Sequence, residues 1–185
     1  MPSYDFERGQ AADENILNST RSTDFLAPPS AAEKVMRDAV LSLATQTGFA
    51  KRMVNSGRLS LPTAYLGSPL STPDAELWDS GVPPGAPMLD APLGEGGWLT
   101  RQAATGRPVL LFNGSEPPEG LPKTVDLLCL GRATHPDIHG HLGRRYDLRA
   151  GDACLLRPDG HVAARFRQVD GNMVTPALRR MEGFV

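Results

Sequence analysis

Tyr146-Asp147-Leu148-Arg149-Ala150-Gly151-Asp152-Ala153-Cys154-Leu155-Leu156-Arg157-Pro158-Asp159-Gly160-His161-Val162-Ala163-Ala164-Arg165-Phe166-Arg167 is the stretch on which the fold of this chain turns. Its centre holds two short apolar-rich runs joined by Pro158-Asp159-Gly160. Proline presets φ at the first central position of a turn, aspartate suits the second, and glycine accepts the left-handed backbone that follows. The stretch therefore predicts a tight β-hairpin. Strict alternation on the return strand puts Val162, Ala164 and Phe166 on one face and His161, Arg165 and Arg167 on the other. A hairpin half apolar and half basic needs a sheet on one side and water or a partner on the other.

Working outward, composition bounds the class. The chain has 185 residues, 40% hydrophobic and 22% charged, which fits one globular domain with an appendage. The formal charge of −2 argues against a dedicated nucleic-acid binder. That charge is uneven, because Leu142 to Arg180 carries +4 and the remainder −6. No apolar run approaches the roughly 20 residues of a membrane span, and the N-terminus lacks the apolar core of a signal peptide. Two cysteines, Cys129 and Cys154, stand 25 positions apart without a Cys-x-x-Cys motif, so a reduced cytoplasmic protein is the default expectation.

In chain order, residues 1–26 read as a helix with a rough apolar stripe ending in Ile16 and Leu17. Pro28-Pro29 stop it, and Ser30-Ala31-Ala32-Glu33 is a capping box that opens a second helix. Val35, Met36, Ala39, Val40 and Leu43 follow at helical spacing, Gly48 interrupts, and Phe49, Met53 and Val54 resume until Asn55-Ser56-Gly57. Residues 1–60 thus predict a helical segment with an uncovered apolar face. Residues 61–85, rich in proline and glycine, predict an extended linker. Residues 86–185 predict the sheet-bearing domain. There Trp98 to Arg101 forms a short helix, Pro108 to Phe112 and Val125 to Leu130 form strands, the hairpin adds two more, and Asn172 to Met181 closes the domain. In that last helix Leu178 and Met181 point inward, and Arg179 and Arg180 outward. The expected class is α/β, with a central mixed sheet and flanking helices behind a helical segment and a proline-rich linker.

Three constellations could carry chemistry. His135, His139 and His141 fall within seven residues, a density compatible with zinc, although Pro136 and Gly140 make the segment a loop without a clear fourth ligand. Cys129 and Cys154 could support thiol redox chemistry, but they lie on predicted strands among leucines, where a cysteine is a small buried hydrophobe. Arg144, Arg145, Arg149, Arg157, Arg165 and Arg167 could present an anion-binding face. Gly94-Glu95-Gly96-Gly97 is not a dinucleotide fingerprint, since it lacks the spacing and a preceding strand. No catalytic, cofactor-binding or metal-binding residue is assigned from these patterns.

The quoted hairpin stretch, from Tyr146 to Asp152 and from Leu155 to Arg165, resembles the C-terminal domain of FAD-dependent aromatic-ring hydroxylases. These are flavoprotein monooxygenases of the phenol hydroxylase and hydroxyphenylpropionate hydroxylase type. Ser3-Tyr4-Asp5, Glu7-Arg8 and Ala12 to Asn15 resemble the helix that closes their flavin domain, with Gly9-Gln10 where the family carries a proline. Met53 to Ser60, Ser68-Pro69-Leu70 and Pro84 to Pro87 match the passage that follows it. The resemblance implies a thioredoxin-like C-terminal domain without redox cysteines. It implies FAD and NAD(P)H for the complete enzyme, and a flavin-binding domain or protein of the same family as partner. It also implies that the chain starts beyond the flavin-gripping motif, so that no cofactor is expected in this chain alone and it is not expected to be catalytically competent. A structural or dimerisation role, including a homo-oligomer, is one reading. A separately encoded, non-catalytic module that docks on a flavoprotein is the alternative. Neither nucleic acid nor membrane is an expected partner.

Overall fold

A computed structural model describes residues 2–54, 61–94, 97–131, 137 and 139–184. The chain forms two compact units, one of Tyr4–Thr63 and one of Ala64–Val185 with the first three residues.

The first unit is helical. Helix α1 (Pro2–Leu26) runs through Gly9-Gln10 without interruption. Helix α2 (Ala31–Ala44) opens on the expected capping box, with Ser30 Oγ accepting from the Glu33 amide at 3.3 Å and Glu33 Oε2 accepting from the Ser30 amide at 3.0 Å. Thr45 caps its end, and α3 (Gly48–Val54) packs back against α2. The expected stop at Asn55-Ser56-Gly57 lies outside the described residues. What distinguishes this unit is where its apolar side chains go. No residue of α2 is buried, and in α1 the buried set is Glu7, Ala11 and Asn18 while Ile16 and Leu17 are exposed.

The second unit is built on a four-stranded sheet, order β4-β3-β5-β6. Strands β3 (Val109–Phe112) and β4 (Asp126–Cys129) are parallel, while β5 (Ala153–Leu156) is antiparallel to β3 and β6 (Val162–Phe166) is antiparallel to β5. A small hairpin, β1 (Pro92–Leu93) with β2 (Gly97–Trp98), precedes them and leads into α4 (Leu99–Ala103). Helix α5 (His141–Tyr146) lies between β4 and β5, and α6 (Gly171–Met181) closes the chain. Both central strands are buried along their whole length. Fully burying one leucine is worth roughly 1.5–3 kcal/mol, so Leu110, Leu111, Leu155 and Leu156 anchor the unit from both faces of the sheet. On one face Leu99, Ala103, Leu142 and Tyr146 pack with Leu111, Cys154 and Leu156. On the other, Val174, Ala177 and Leu178 of α6 pack with Leu110, Cys129 and Leu155.

The parallel crossover from β3 to β4, residues 113–125, carries no helix. Pro117, Pro118 and Pro122 remove the amides a helix would need. The loop is fixed instead by docking on the start of α6, where the Gly171 amide donates to Glu119 O at 2.8 Å and a Cβ on Gly171 would collide with the Gly120 backbone.

The hairpin forms as its sequence predicts. The Gly160 amide donates to Arg157 O at 3.0 Å, the Arg157 amide to His161 O at 2.7 Å, and Gly160 has φ +84°. Its return strand departs from strict alternation. Leu155 pairs with Ala164 but Leu156 pairs with Val162, so Ala163 is the extra residue of a β-bulge. The bulge shifts Val162 to the face of Cys154 and leaves Ala164 and Phe166 on the α6 face. Val162, Ala164 and Phe166 therefore do not share a face, because one inserted residue reverses the alternation.

Residues 64–91, most of them within the expected linker of 61–85, group with the sheet. Their backbone runs along the outer edge of β6, forming a strap. The Gly85 amide donates to Val162 O at 2.8 Å and the Val162 amide to Ala86 O at 2.9 Å. The Thr72 amide donates to Ala163 O and the Met88 amide to Gly160 O, each at 2.8 Å. An edge strand otherwise offers unpaired amides to other chains, and proline-rich sequence meets that need without extending the sheet.

Candidate functional site

The six arginines singled out in the sequence resolve into two groups. Arg165 and Arg167 point out of β6 onto the strap and enclose Trp78, their guanidinium carbons 4.4 and 3.6 Å from the indole centroid. Arg165 grips Asp74 with both arms, Nε–Oδ1 at 2.8 Å and Nη2–Oδ2 at 2.6 Å, and reaches Ser80 O at 3.0 Å. Arg167 bridges Asp152 and Asp147, with Nη2 to Asp147 Oδ2 at 2.9 Å and Nη1 to Asp147 O at 2.8 Å. Asp152 is itself buried and also accepts from the amides of Arg149 at 2.8 Å and Gln168 at 3.2 Å. Arg157 is buried against Asp159 at 2.6 Å, and Arg149 pairs with Asp79 across exposed surface. Arg144 Nη2 donates to His139 O. Carboxylates of the same chain engage four of these six cations, and Arg165, Arg167 and Arg149 meet the strap through Asp74, Trp78 and Asp79, so this part of the arginine cluster is an internal clamp between strap and sheet rather than an open anion-binding face. The sequence signal that could have found it was Asp74, Trp78 and Asp79, present in the strap but read as linker.

The electrostatics fit that role. Burial alone would raise the Asp147 carboxyl, but the hydrogen bond and charge of Arg167 outweigh it and hold Asp147 below its ordinary range. At the hairpin turn, burial opposes ionisation of Asp159, yet His161 and Arg157 bring it down to about 2. His161 stacks on Tyr65 of the strap with ring centroids 4.7 Å apart.

Neither cysteine is placed for redox chemistry. Cys129 faces α6 and Cys154 faces the opposite layer, so the sheet lies between them. Burial pushes the Cys154 thiol up to about 12, far from the thiolate that disulfide exchange requires. Of the three histidines, His135 lies outside the described residues, and His139 and His141 meet edge to face at 5.6 Å on the surface. No metal-binding group of three or more side chains occurs among the described residues. Tyr146 Oη donates to Leu89 O at 2.8 Å and accepts from the Leu89 amide at 2.9 Å, and burial drives its hydroxyl far above its ordinary value. It is a structural pin for the strap. The glycine run at 94–97 follows the two-residue β1, so a strand does precede it, contrary to expectation. Gly94 and Gly97 belong to the β1–β2 hairpin rather than to a strand-to-helix loop, and a Cβ on Gly97 would meet Leu93 O at 2.5 Å.

The helical unit holds the concavity of interest. A cleft of about 260 Å³ is lined by Asp24, Phe25 and Pro28 from the end of α1, by Glu33, Met36, Arg37 and Val40 of α2, and by Met53 of α3. Of its apolar lining, Met36 and Met53 are each more than half exposed. Exposed apolar side chains lining a cleft are the mark of an interaction site.

No family model matches the chain, and no curated protein matches it. Solved structures do. The rebeccamycin biosynthetic enzyme RebC with reduced flavin matches over 100% of this chain and 36% of its own, with a TM-score of 0.65 at 18% identity. The flavin-dependent monooxygenase PieE, solved with FAD and substrate, matches over 87% of this chain and 31% of its own, with a TM-score of 0.55 at 24% identity. Aklavinone-11 hydroxylase with FAD and aklavinone matches over 80% and 33%, with a TM-score of 0.51 at 19% identity. The chain spans about a third of the length of these proteins, and at these identities the likeness is one of fold. No described helix is long and apolar enough to cross a membrane.

Proposed function

We propose that this chain is the C-terminal part of an FAD- and NAD(P)H-dependent hydroxylase of phenolic rings. In this reading the helical unit docks on a flavin-bearing partner and the sheet unit has a structural or dimerisation role. The observation that carries the proposal is the match to RebC over the full length of the chain, which takes in both units. The hairpin stretch and the Ser3 to Asn15 stretch, which resemble the aromatic hydroxylases, fall in different units and support the same reading independently. The strand order, with β3 and β4 parallel and the rest antiparallel between α5 and α6, supports a thioredoxin-like sheet unit. It departs from the simplest form of that fold in its helix-free crossover. The separation of Cys129 and Cys154 by the sheet favours a scaffold over a reductase.

FAD would supply the oxidising chemistry when bound in the partner. This chain's contribution is the helical face and a sheet unit held rigid by the Arg165–Trp78–Arg167 clamp. The test is reconstitution. The purified chain should be colourless, and should co-elute with the FAD-loaded N-terminal two thirds of a phenol-type hydroxylase lacking its own matching region. The complex should hydroxylate a phenol at the expense of NAD(P)H at a rate the N-terminal part lacks alone. A chain that stays monomeric, binds no such partner and leaves its activity unchanged would overturn the proposal.

A further inference from the structure

The cleft of the helical unit is of a size that decides between kinds of occupant. Ligand pockets start at about 300 Å³, and a dry cavity of about 150 Å³ already takes benzene. At about 260 Å³ the cleft suits one large aromatic group, not a dinucleotide or a polycyclic substrate. Its walls, Phe25, Pro28, Met36, Val40 and Met53, are apolar, and its two methionines can adapt to a ring edge.

The rim carries a sign. Asp24 and Glu33 line the cleft. Arg37, the one cation among the described lining residues, is engaged, with Nε and Nη2 on Asp38 Oδ1 at 3.0 and 2.7 Å and Nη1 on Leu26 O at 3.1 Å. Glu33 is held by the capping box through Ser30. Asp24 is exposed and engages no hydrogen bond or ion pair among the described residues. An apolar slot with an anionic lip is complementary to an aromatic group beside a cation.

We propose that this cleft is the anchor point of the docking face. It would receive a single aromatic side chain, flanked by a lysine or arginine that pairs with Asp24, from the flavin-bearing partner. This rests on the proposed function for the identity of the partner, but the chemistry of the cleft is testable without it. The full chain carrying ¹³C-methyl methionine is titrated with tryptamine and, separately, with indole-3-acetate, which presents the same ring with the opposite charge. Tryptamine should shift the Met36 and Met53 methyl signals saturably and bind at least about threefold more tightly than indole-3-acetate, the worth of one exposed ion pair. Asp24→Asn should erase that preference, and Asp24→Lys, an exposed change that leaves the fold intact, should invert it. Val40→Trp, its folding checked by circular dichroism, should fill the slot and abolish both titrations. Absence of Met36 and Met53 shifts, equal binding of the two probes, or a preference indifferent to Asp24→Lys would overturn the inference. Such a failure leaves the reconstitution experiment untouched, whereas failed reconstitution with intact tryptamine binding would sink the partner's identity.

Discussion

Arg167→Met is the most informative single substitution in the sheet unit, because methionine keeps the apolar stem over Trp78 while removing the charge that Asp152 depends on. The Arg167 side chain is 9% exposed and that of Asp152 is 1% exposed, so water cannot replace the lost partner in place. Removing one member of a buried ion pair costs about 3–5 kcal/mol. The lost cation–π contact with Trp78, at 3.6 Å, contributes roughly 0.5–2 kcal/mol toward that total. The second pair, to Asp147, is more exposed at 18% and adds less. A loss of about 3–5 kcal/mol corresponds to a fall in Tm of roughly 10–20 °C for a unit of this size. Urea unfolding followed by tryptophan fluorescence is the assay, since Trp78 lies inside the clamp, and an unchanged m-value would certify a two-state comparison. Adding Asp152→Asn to Arg167→Met should restore about 1–3 kcal/mol by removing the orphaned charge, although Asp152 still has two amide donors to satisfy. A loss below about 1 kcal/mol for Arg167→Met, or no recovery in the double variant, would refute the view that the Arg167 cation is what compensates the buried Asp152 carboxylate.

Three further outcomes follow from the same geometry. Cys129 and Cys154 should react with a thiol reagent only after unfolding, and fast native labelling of either would contradict their burial on opposite sheet faces. Acid should weaken the sheet unit through Asp159 and Asp147. Both have folded pKa values below the unfolded ones, so their stabilisation is present above the ordinary carboxyl value of 3.8 and is lost as pH falls, for Asp159 toward about 2. Asp159→Asn should flatten the pH-stability slope in that window, and an unaltered slope would remove Asp159 from the account. Limited proteolysis should leave residues 64–91 within the resistant core together with the sheet, and early cuts inside that strap would contradict its pairing with β6.

Local chemistry was legible in the sequence wherever one residue type has one dominant use. Pro158-Asp159-Gly160 specified its turn because only those φ values close it, and Ser30 with Glu33 specified a helix start because the four leading amides need acceptors. The order of strands and closing helix, the burial of both cysteines and the uncovered stripes on α2 and α3 could be read from apolar runs and their period. Helix α5 escaped notice, since six residues flanked by left-handed Gly140 and Asp147 offer too short a pattern, and only Leu142 and Tyr146 hint at its inner face. Tertiary structure alone decided what the proline-rich stretch does and where the arginines point. A bulge at Ala163 cannot be deduced from alternation, because an inserted residue reverses the faces it was read from. Charge pairing between Asp74 and Arg165, 91 positions apart, is equally invisible along the chain. Long-range pairs form because the backbone brings buried charges together, and sequence spacing carries no record of that encounter.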